Sequence, residues 1–237
     1  MKRQTTNKKR GDLLGLALSV GILAELTEDE EGYNYYLKTF EAVNKALANN
    51  NSPTYNEPTH LNEESCSFDM YGYSGLHYLR RIAAYLWAGK PLPSPGKDSP
   101  EKDPLLEEYY SSLGEDTGES KPREMKRFDH LLFHSDCEGF YVPVKFSEVI
   151  FTDQELEIPG EMIGSSYMLL EECKALAQYL ELPLDIDPES DEVWNTADNQ
   201  GQGNTKWKRY GIESYICLRL YYAAKKSIEL NATVVFT

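Results

Sequence analysis

The helical spacing of apolar residues is the feature that most constrains the fold of this chain. In four long segments the apolar side chains recur every three or four residues, which places them on one face of an α-helix. These segments are 33–51, 74–91, 164–183 and 210–230. A further apolar run, Leu13–Leu26, is too short to cross a bilayer and predicts a buried first helix with Asp12 as its N-cap.

Strand patterns are confined to short stretches. The C-terminal sequence ATVVFT is rich in β-branched residues and predicts a strand. HLLFH and FYVPVKF flank DCEG, in which Asp136 and Gly139 suit a type I turn with a bulge. The sequence therefore predicts a mainly helical α+β single domain, with a small, mostly antiparallel sheet that includes a 129–144 hairpin and the C-terminal strand.

Prolines interrupt the middle of the chain. Residues 90–104 contain five prolines, which excludes a regular element there, and a polar loop follows the short helix that Pro104 opens. We expect an excursion at about 90–126 that acts as a lid, a linker or a partner-binding loop. The predicted organisation is a basic tail over residues 1–10 and one α+β domain over residues 11–237.

The chain is acidic, and its charge is unevenly distributed. The net charge is −15, and the first ten residues hold five bases and no acid, so residues 11–237 carry −20. Such a body repels phosphate backbones, which nucleic-acid-binding proteins neutralise with Lys and Arg. We expect no nucleic-acid partner; a basic protein is the complementary one. Solubility alone is the simpler explanation of the charge.

Four widely spaced cysteines form no CxxC pair and are too few to build a disulfide scaffold in a chain of this length. They predict reduced thiols and a cytoplasmic protein with no membrane contact. A short secretory signal at the N-terminus is the competing interpretation.

The stretch His130 to Pro143 gathers most of the candidate site residues. On an extended strand His130 and His134 lie about 13 Å apart, too far to share one ion, whereas on a helix they would be neighbours. The strand prediction favours histidines that satisfy hydrogen bonds in a packed sheet. The candidate binding residues are His77, Arg81, His130, His134, Asp136, Cys137 and Glu138.

The sequence does not favour catalysis or metal binding by these or the other acidic residues. Cys137 lies between two acids, which oppose thiolate formation, so a nucleophilic thiol is not expected. The sequence DIDPESDE resembles a calcium loop but lacks its glycine and its final glutamate. We therefore predict no catalytic residue, no metal site and no cofactor.

Three phrases of the sequence, YSGLHYLRR, HLLFHSDCEGFYVPVKF and GSSYMLLEE, are similar to a bacterial family of proteins of unknown function. The resemblance covers about half of the chain in separated segments. It implies a bacterial origin and a single fold, and it carries no activity or site residue with it.

Three functions stay open at this point. The favoured hypothesis is a soluble, acidic, non-catalytic binding or regulatory protein, similar in manner to an immunity protein, that binds a basic protein partner. The second is a metal-dependent or hydrolase-like enzyme that uses His130, His134 and Asp136, with His77 joining them in space. The third is a scaffold role without a site.

Overall fold

The protein is a mainly helical α+β structure built on one mixed sheet. The computed structural model describes residues 16–61, 65–72, 74–96, 99–111 and 128–237. Its strands are β1 (Ala17–Val20), β2 (Cys66–Asp69), β3 (Phe140–Val142), β4 (Ile150–Phe151), β5 (Met162–Ser165) and β6 (Val234–Phe236). They lie in the order β2-β1-β6-β3-β5-β4, and all neighbours are antiparallel except β3 and β5. The expected α+β class and mostly antiparallel sheet are confirmed.

Nine α-helices lie in the described ranges, and the longer ones agree with the predicted segments. They are α1 (Ile22–Glu25), α2 (Glu30–Asn49), α3 (Gly75–Trp87), α4 (Pro104–Ser111), α5 (Asp129–Leu132), α6 (Ser166–Leu180), α7 (Asp191–Asp198), α8 (Lys206–Arg209) and α9 (Gly211–Leu230). None of the helices in this part of the chain combines the length and apolar composition needed to span a bilayer. The basic tail, residues 1–10, and residues 97–98 and 112–126 of the proposed excursion lie outside the described ranges.

The two faces of the sheet are covered by different helices. Strand residues alternate between the faces, so that Tyr141 and Val234 join one apolar cluster and Phe140 and Val235 join the other. Helices α3, α6 and α9 pack in the first cluster, and α2 packs in the second. This division places the surface features of α2 and of α7 on opposite sides of the molecule.

The predicted helix over Leu13–Leu26 is wrong at residues 17–20; within this segment the described helix is α1, Ile22–Glu25. Residues 17–20 form β1, which lies between β2 and β6 and hydrogen-bonds to both, and Gly21 follows with a φ of +85°. A buried inner strand is apolar on both faces, so its sequence does not alternate and resembles a short apolar helix. Asp12, the proposed N-cap, is outside the described residues.

The 129–144 hairpin is also wrong. Asp129–Leu132 is a one-turn helix, and β3 pairs with β5 and β6 instead of with the preceding segment. The reason is a distant side chain: the buried carboxylate of Glu172 accepts the backbone N–H groups of His130 (3.0 Å) and Leu131 (2.8 Å) and so caps this turn. The expected placement of His130 and His134 on one strand face is therefore wrong as well.

Candidate functional site

His77 and Asp136 meet at the surface, one from α3 and the other from the loop after α5. His77 Nε2 lies 3.2 Å from Asp136 Oδ2, and the Arg80 guanidinium pairs with the other carboxylate oxygen. The hydrogen bond from His77, and then the charge of Arg80, hold the pKa of Asp136 well below its usual range. The side chain of Asp136 is half exposed, so this cluster reaches the solvent.

Arg80, which was not among the binding candidates, holds the loop from its buried side. Its side chain is buried and donates to the carbonyl oxygens of Leu131 (3.0 Å), His134 and Ser135 (3.3 Å). The candidate Arg81 lies elsewhere: its Nη2 is 3.9 Å from Glu213 Oε1, and its guanidinium stacks over Tyr78. Adjacent residues on a helix point about 100° apart, and only the packing of α3 decides which arginine faces the loop.

His130 is a structural residue inside the fold. Its Nδ1 accepts a hydrogen bond from the backbone N–H of Ser165 (3.0 Å), and Nε2 donates to the carbonyl oxygen of Ser147 (3.1 Å). Burial lowers the pKa of the imidazole, which favours the neutral form that this pair of bonds requires. Both ring nitrogens are engaged, so neither is free to bind a ligand.

His134 is fully buried and packs as an aromatic ring. It stacks on Tyr141 with the ring centroids 4.1 Å apart and on Phe236 at 4.8 Å, while Nδ1 donates to the carbonyl oxygen of Ser135 (3.1 Å). Burial lowers its pKa to about 3, so the ring is neutral at physiological pH. The ring therefore packs against aromatic neighbours, while its Nε2 is buried without a hydrogen-bond partner among the described residues.

The structure does not bring together the residues that the enzyme hypothesis named. Among the described residues, no three His, Cys, Asp or Glu side chains are placed to hold one metal ion. His130 and His134 are internal, and of the residues invoked for chemistry only His77 and Asp136 pair at the surface. Cys137 and Glu138 are exposed beside them, and Cys137 is a free thiol, as are the other three cysteines.

An acidic hollow opens next to this loop, at the edge of the sheet. It has a volume of about 490 Å³ and is lined by Glu138, Glu157, Ile158, Pro159, Gly160 and Glu161. A methyl group at Gly160 would lie 3.1 Å from the backbone of Glu138 and Gly139, which shows how closely the two loops pack. The three glutamates are exposed, and the only ion pair they make within the described ranges joins Glu157 to Lys38 of α2 (3.3 Å).

More carboxylates extend this acidic surface onto neighbouring elements. Asp153 and Glu155 belong to the same loop and are exposed, and the loop 135–139 together with 152–161 contains six acids and no base. Leu156 of this loop packs in the same cluster as Tyr33 of α2. The first turn of α2 and the residues before it add exposed acids there, namely Glu25, Glu28, Asp29, Glu30 and Glu31.

A second acidic surface lies on the other face of the sheet, along residues 181–198. Its seven acids are accompanied by no base in this segment. Several of them have structural partners: Glu189 pairs with the buried Arg219 (2.9 Å), Glu192 with Lys208 (2.7 Å), and Asp187 accepts the backbone N–H of Glu189 (2.9 Å). The net charge of the sequence predicts an acidic protein, but it does not predict that the acids lie on two separate surfaces.

Comparison with known proteins gives one match. A family model described as "Putative DNA-mimic protein" matches residues 14–236. No curated protein and no solved structure matches the chain.

Proposed function

We propose that this chain, which belongs to the family of putative DNA-mimic proteins, is a non-catalytic acidic protein that binds the DNA-binding surface of a basic protein. The observation that carries the proposal is the match of the family model to nearly the whole chain. The favoured hypothesis from the sequence, an acidic binding protein with a basic partner, belongs to this class. The family description supports the proposal that this basic partner is a DNA-binding protein.

The charge of the chain supports this proposal. DNA attracts its partners chiefly through regularly spaced phosphates, which Lys and Arg side chains neutralise. A protein that presents many carboxylates without bases between them offers the same sign of charge to the same side chains. Both acidic surfaces described above have this property. The same charge repels nucleic acid, so the partner is a protein and DNA is the competitor.

The location and origin of the protein remain predictions. DNA-binding proteins of bacteria act in the cytoplasm, and a protein that competes with DNA for them acts there too. The free state of the four cysteines is compatible with this compartment. The bacterial origin rests on the resemblance in the three quoted phrases.

The experiment that tests the proposal is displacement from DNA. A bacterial extract is bound to DNA-cellulose at physiological salt and washed with the full chain or with poly-L-glutamate at the same charge concentration. We expect the chain to elute a discrete basic DNA-binding protein that poly-L-glutamate leaves bound, and we expect this complex to weaken above physiological salt. Elution of nothing, or of the same proteins that poly-L-glutamate elutes, would contradict the proposal.

A further inference from the structure

The segment between α2 and β2 is held in place by side chains and not by its own backbone. Residues 53–61, which we call the strap, contain no helix or strand and make no backbone–backbone hydrogen bond to any described residue. One attachment is to Asn44 of α2. The side chain of Asn44 donates to the carbonyl oxygen of Tyr55 (2.9 Å) and accepts the backbone N–H of the same residue (2.9 Å).

The second attachment of the strap is to Thr233, the buried residue that precedes β6. Glu57 Oε2 accepts the backbone N–H (2.9 Å) and the Oγ1 hydroxyl (2.7 Å) of Thr233, and the Tyr55 hydroxyl hydrogen-bonds to the same Oγ1. Asn231 Nδ2 adds a longer bond to the carbonyl oxygen of Asn56 (3.4 Å). Two side chains of the strap therefore meet at one threonine next to the central part of the sheet.

Glu57 has no cationic partner among the described residues. Its Oε1 is buried and makes no hydrogen bond within this part of the chain. Burial raises the pKa of Glu57 to about 7, and the hydrogen bonds from Thr233 and Tyr55 offset only part of this effect. The ionisable side chain that faces Glu57 is Tyr55, whose pKa is itself raised by burial and then by the charge of Glu57. Ionisation of Glu57 therefore places a charge where none of the described groups neutralises it.

The strap also forms one wall of a groove with a volume of about 310 Å³. The groove is lined by Pro53, Thr54 and Tyr55 of the strap and by Pro143, Val144, Lys145, Tyr167 and Asn231 of the body. Tyr55 and Val144 pack in the same apolar cluster. Lys145 is exposed on the far wall and forms no ion pair with Glu57. Movement of the strap away from Thr233 uncovers this apolar surface and widens the groove.

We propose that the strap is a pH-sensitive latch, which is closed on Thr233 while Glu57 is protonated and is released, opening the groove, when Glu57 ionises. The inference goes beyond the proposed function and does not depend on it, because the latch includes neither acidic surface. The alternative is that the donors of Thr233 and Tyr55 hold the ionised carboxylate in place, in which case the strap stays closed.

Hydrogen exchange of the full chain, followed by NMR at pH 6 and pH 8, tests the latch. The probes are the backbone N–H groups of Tyr55 and Thr233, and Leu220 inside α9 reports global unfolding. Exchange is expressed relative to an unstructured peptide at the same pH. We expect protection of both probes to fall about tenfold from pH 6 to pH 8, because the pKa of Glu57 is about 7 in the closed form and 4.5 in the open one. Protection no lower than that of Leu220 would mean that the strap opens only when the whole protein unfolds, and would overturn the inference.

Three variants identify the group that releases the latch. Glu57→Gln keeps an oxygen for Thr233 but removes the charge, and we expect the fall in protection at Thr233 to disappear. Histidine also changes charge in this range, so His60→Asn, at an exposed position of the strap, is the matched control and should leave the tenfold fall unchanged. Asn44→Ala weakens the attachment that carries no charge and should lower protection by the same factor at both pH values. A tenfold fall that persists in Glu57→Gln, or that is lost in His60→Asn, would contradict the role of Glu57.

Discussion

Charged residues in this protein fall into two groups that differ in depth. The buried ones, such as Arg80 and Glu172, are held by several backbone groups each, because a buried charge without partners is costly. The exposed acids of the hollow make few internal bonds. This contrast separates side chains that stabilise the fold from side chains that face the solvent.

Glu57 is a half-buried acid whose protonation affects stability. Its Oε2 accepts two bonds from Thr233, from the backbone N–H (2.9 Å) and from Oγ1 (2.7 Å), and Thr233 Oγ1 also hydrogen-bonds to Tyr55. Burial raises the pKa of Glu57 from its ordinary 4.5 to about 7. Because the folded-state pKa is the higher one, the stability linked to this carboxyl is complete below pH 4.5 and is lost as the pH rises through 7.

We therefore expect Glu57→Gln to be more stable than the unmodified protein at pH 8, by about 2 to 3 kcal/mol, and nearly equal to it at pH 4.5. Urea unfolding at the two pH values measures the difference. Glu41→Gln, an exposed site on α2, is the control and should change stability little at either pH. A gain of the same size at both pH values would show that the charge of Glu57 is not its source.

At the scale of elements, the long helices could be predicted from the sequence and the sheet could not. The apolar spacing of α2, α3, α6 and α9 is local information, and each of these helices buries the stripe that it predicts. Within the sheet, the C-terminal strand and the strand over 140–142 were predicted, but the partners of the latter were not. Gly139 has the predicted positive φ, and Pro143 directly follows β3. The strands that pair with β3, however, are β5 and β6, which come later in the chain.

The candidate site was only partly predictable for the same reason. His77 and Asp136 were named from their residue types, but nothing local indicates that α3 and the loop after α5 meet. The hollow is formed by the loops 138–139 and 157–161, which contact each other because β3 and β5 are parallel neighbours. The sequence signal for the hollow is a group of four acids within 153–161. Composition alone does not distinguish such a group from ordinary surface charge.

The helix α5 is capped by the side chain of Glu172, and a substitution at this residue tests the cap. Glu172→Ala removes the acceptor of two buried backbone N–H groups, and we expect a loss of about 3 kcal/mol in the free energy of unfolding together with faster hydrogen exchange at His130 and Leu131. Its neighbour Glu171 is exposed and, among the described residues, pairs only with Lys174, so Glu171→Ala should cost less than about 0.5 kcal/mol. Equal losses would show that α5 does not rely on this cap.

For the whole molecule, the sheet separates two acidic surfaces and the sequence adds a basic segment at its start. Ile158 beside the hollow packs in one apolar cluster, whereas Leu182 and Val193 of the other acidic surface pack in the second. A partner that approaches one surface therefore does not contact the other. The charge of the whole chain nevertheless acts on its approach, since electrostatic steering sums over all residues within the screening length.

Removal of residues 1–10 changes the net charge of the chain but removes none of the acids of the two acidic surfaces. The deletion takes the net charge from −15 to −20, because these residues hold five bases and no acid. We expect labelled protamine to associate faster with the shortened chain, about two- to fivefold at 50 mM salt, with the difference vanishing toward 500 mM salt because the screening length then falls well below the size of the protein. Stopped-flow mixing at both salt concentrations measures the rates, and the dissociation rate should change little because the deletion removes no acid of the two acidic surfaces. A slower association of the shortened chain would mean that the basic segment itself takes part in binding, and that the body of the protein is not the sole source of recognition.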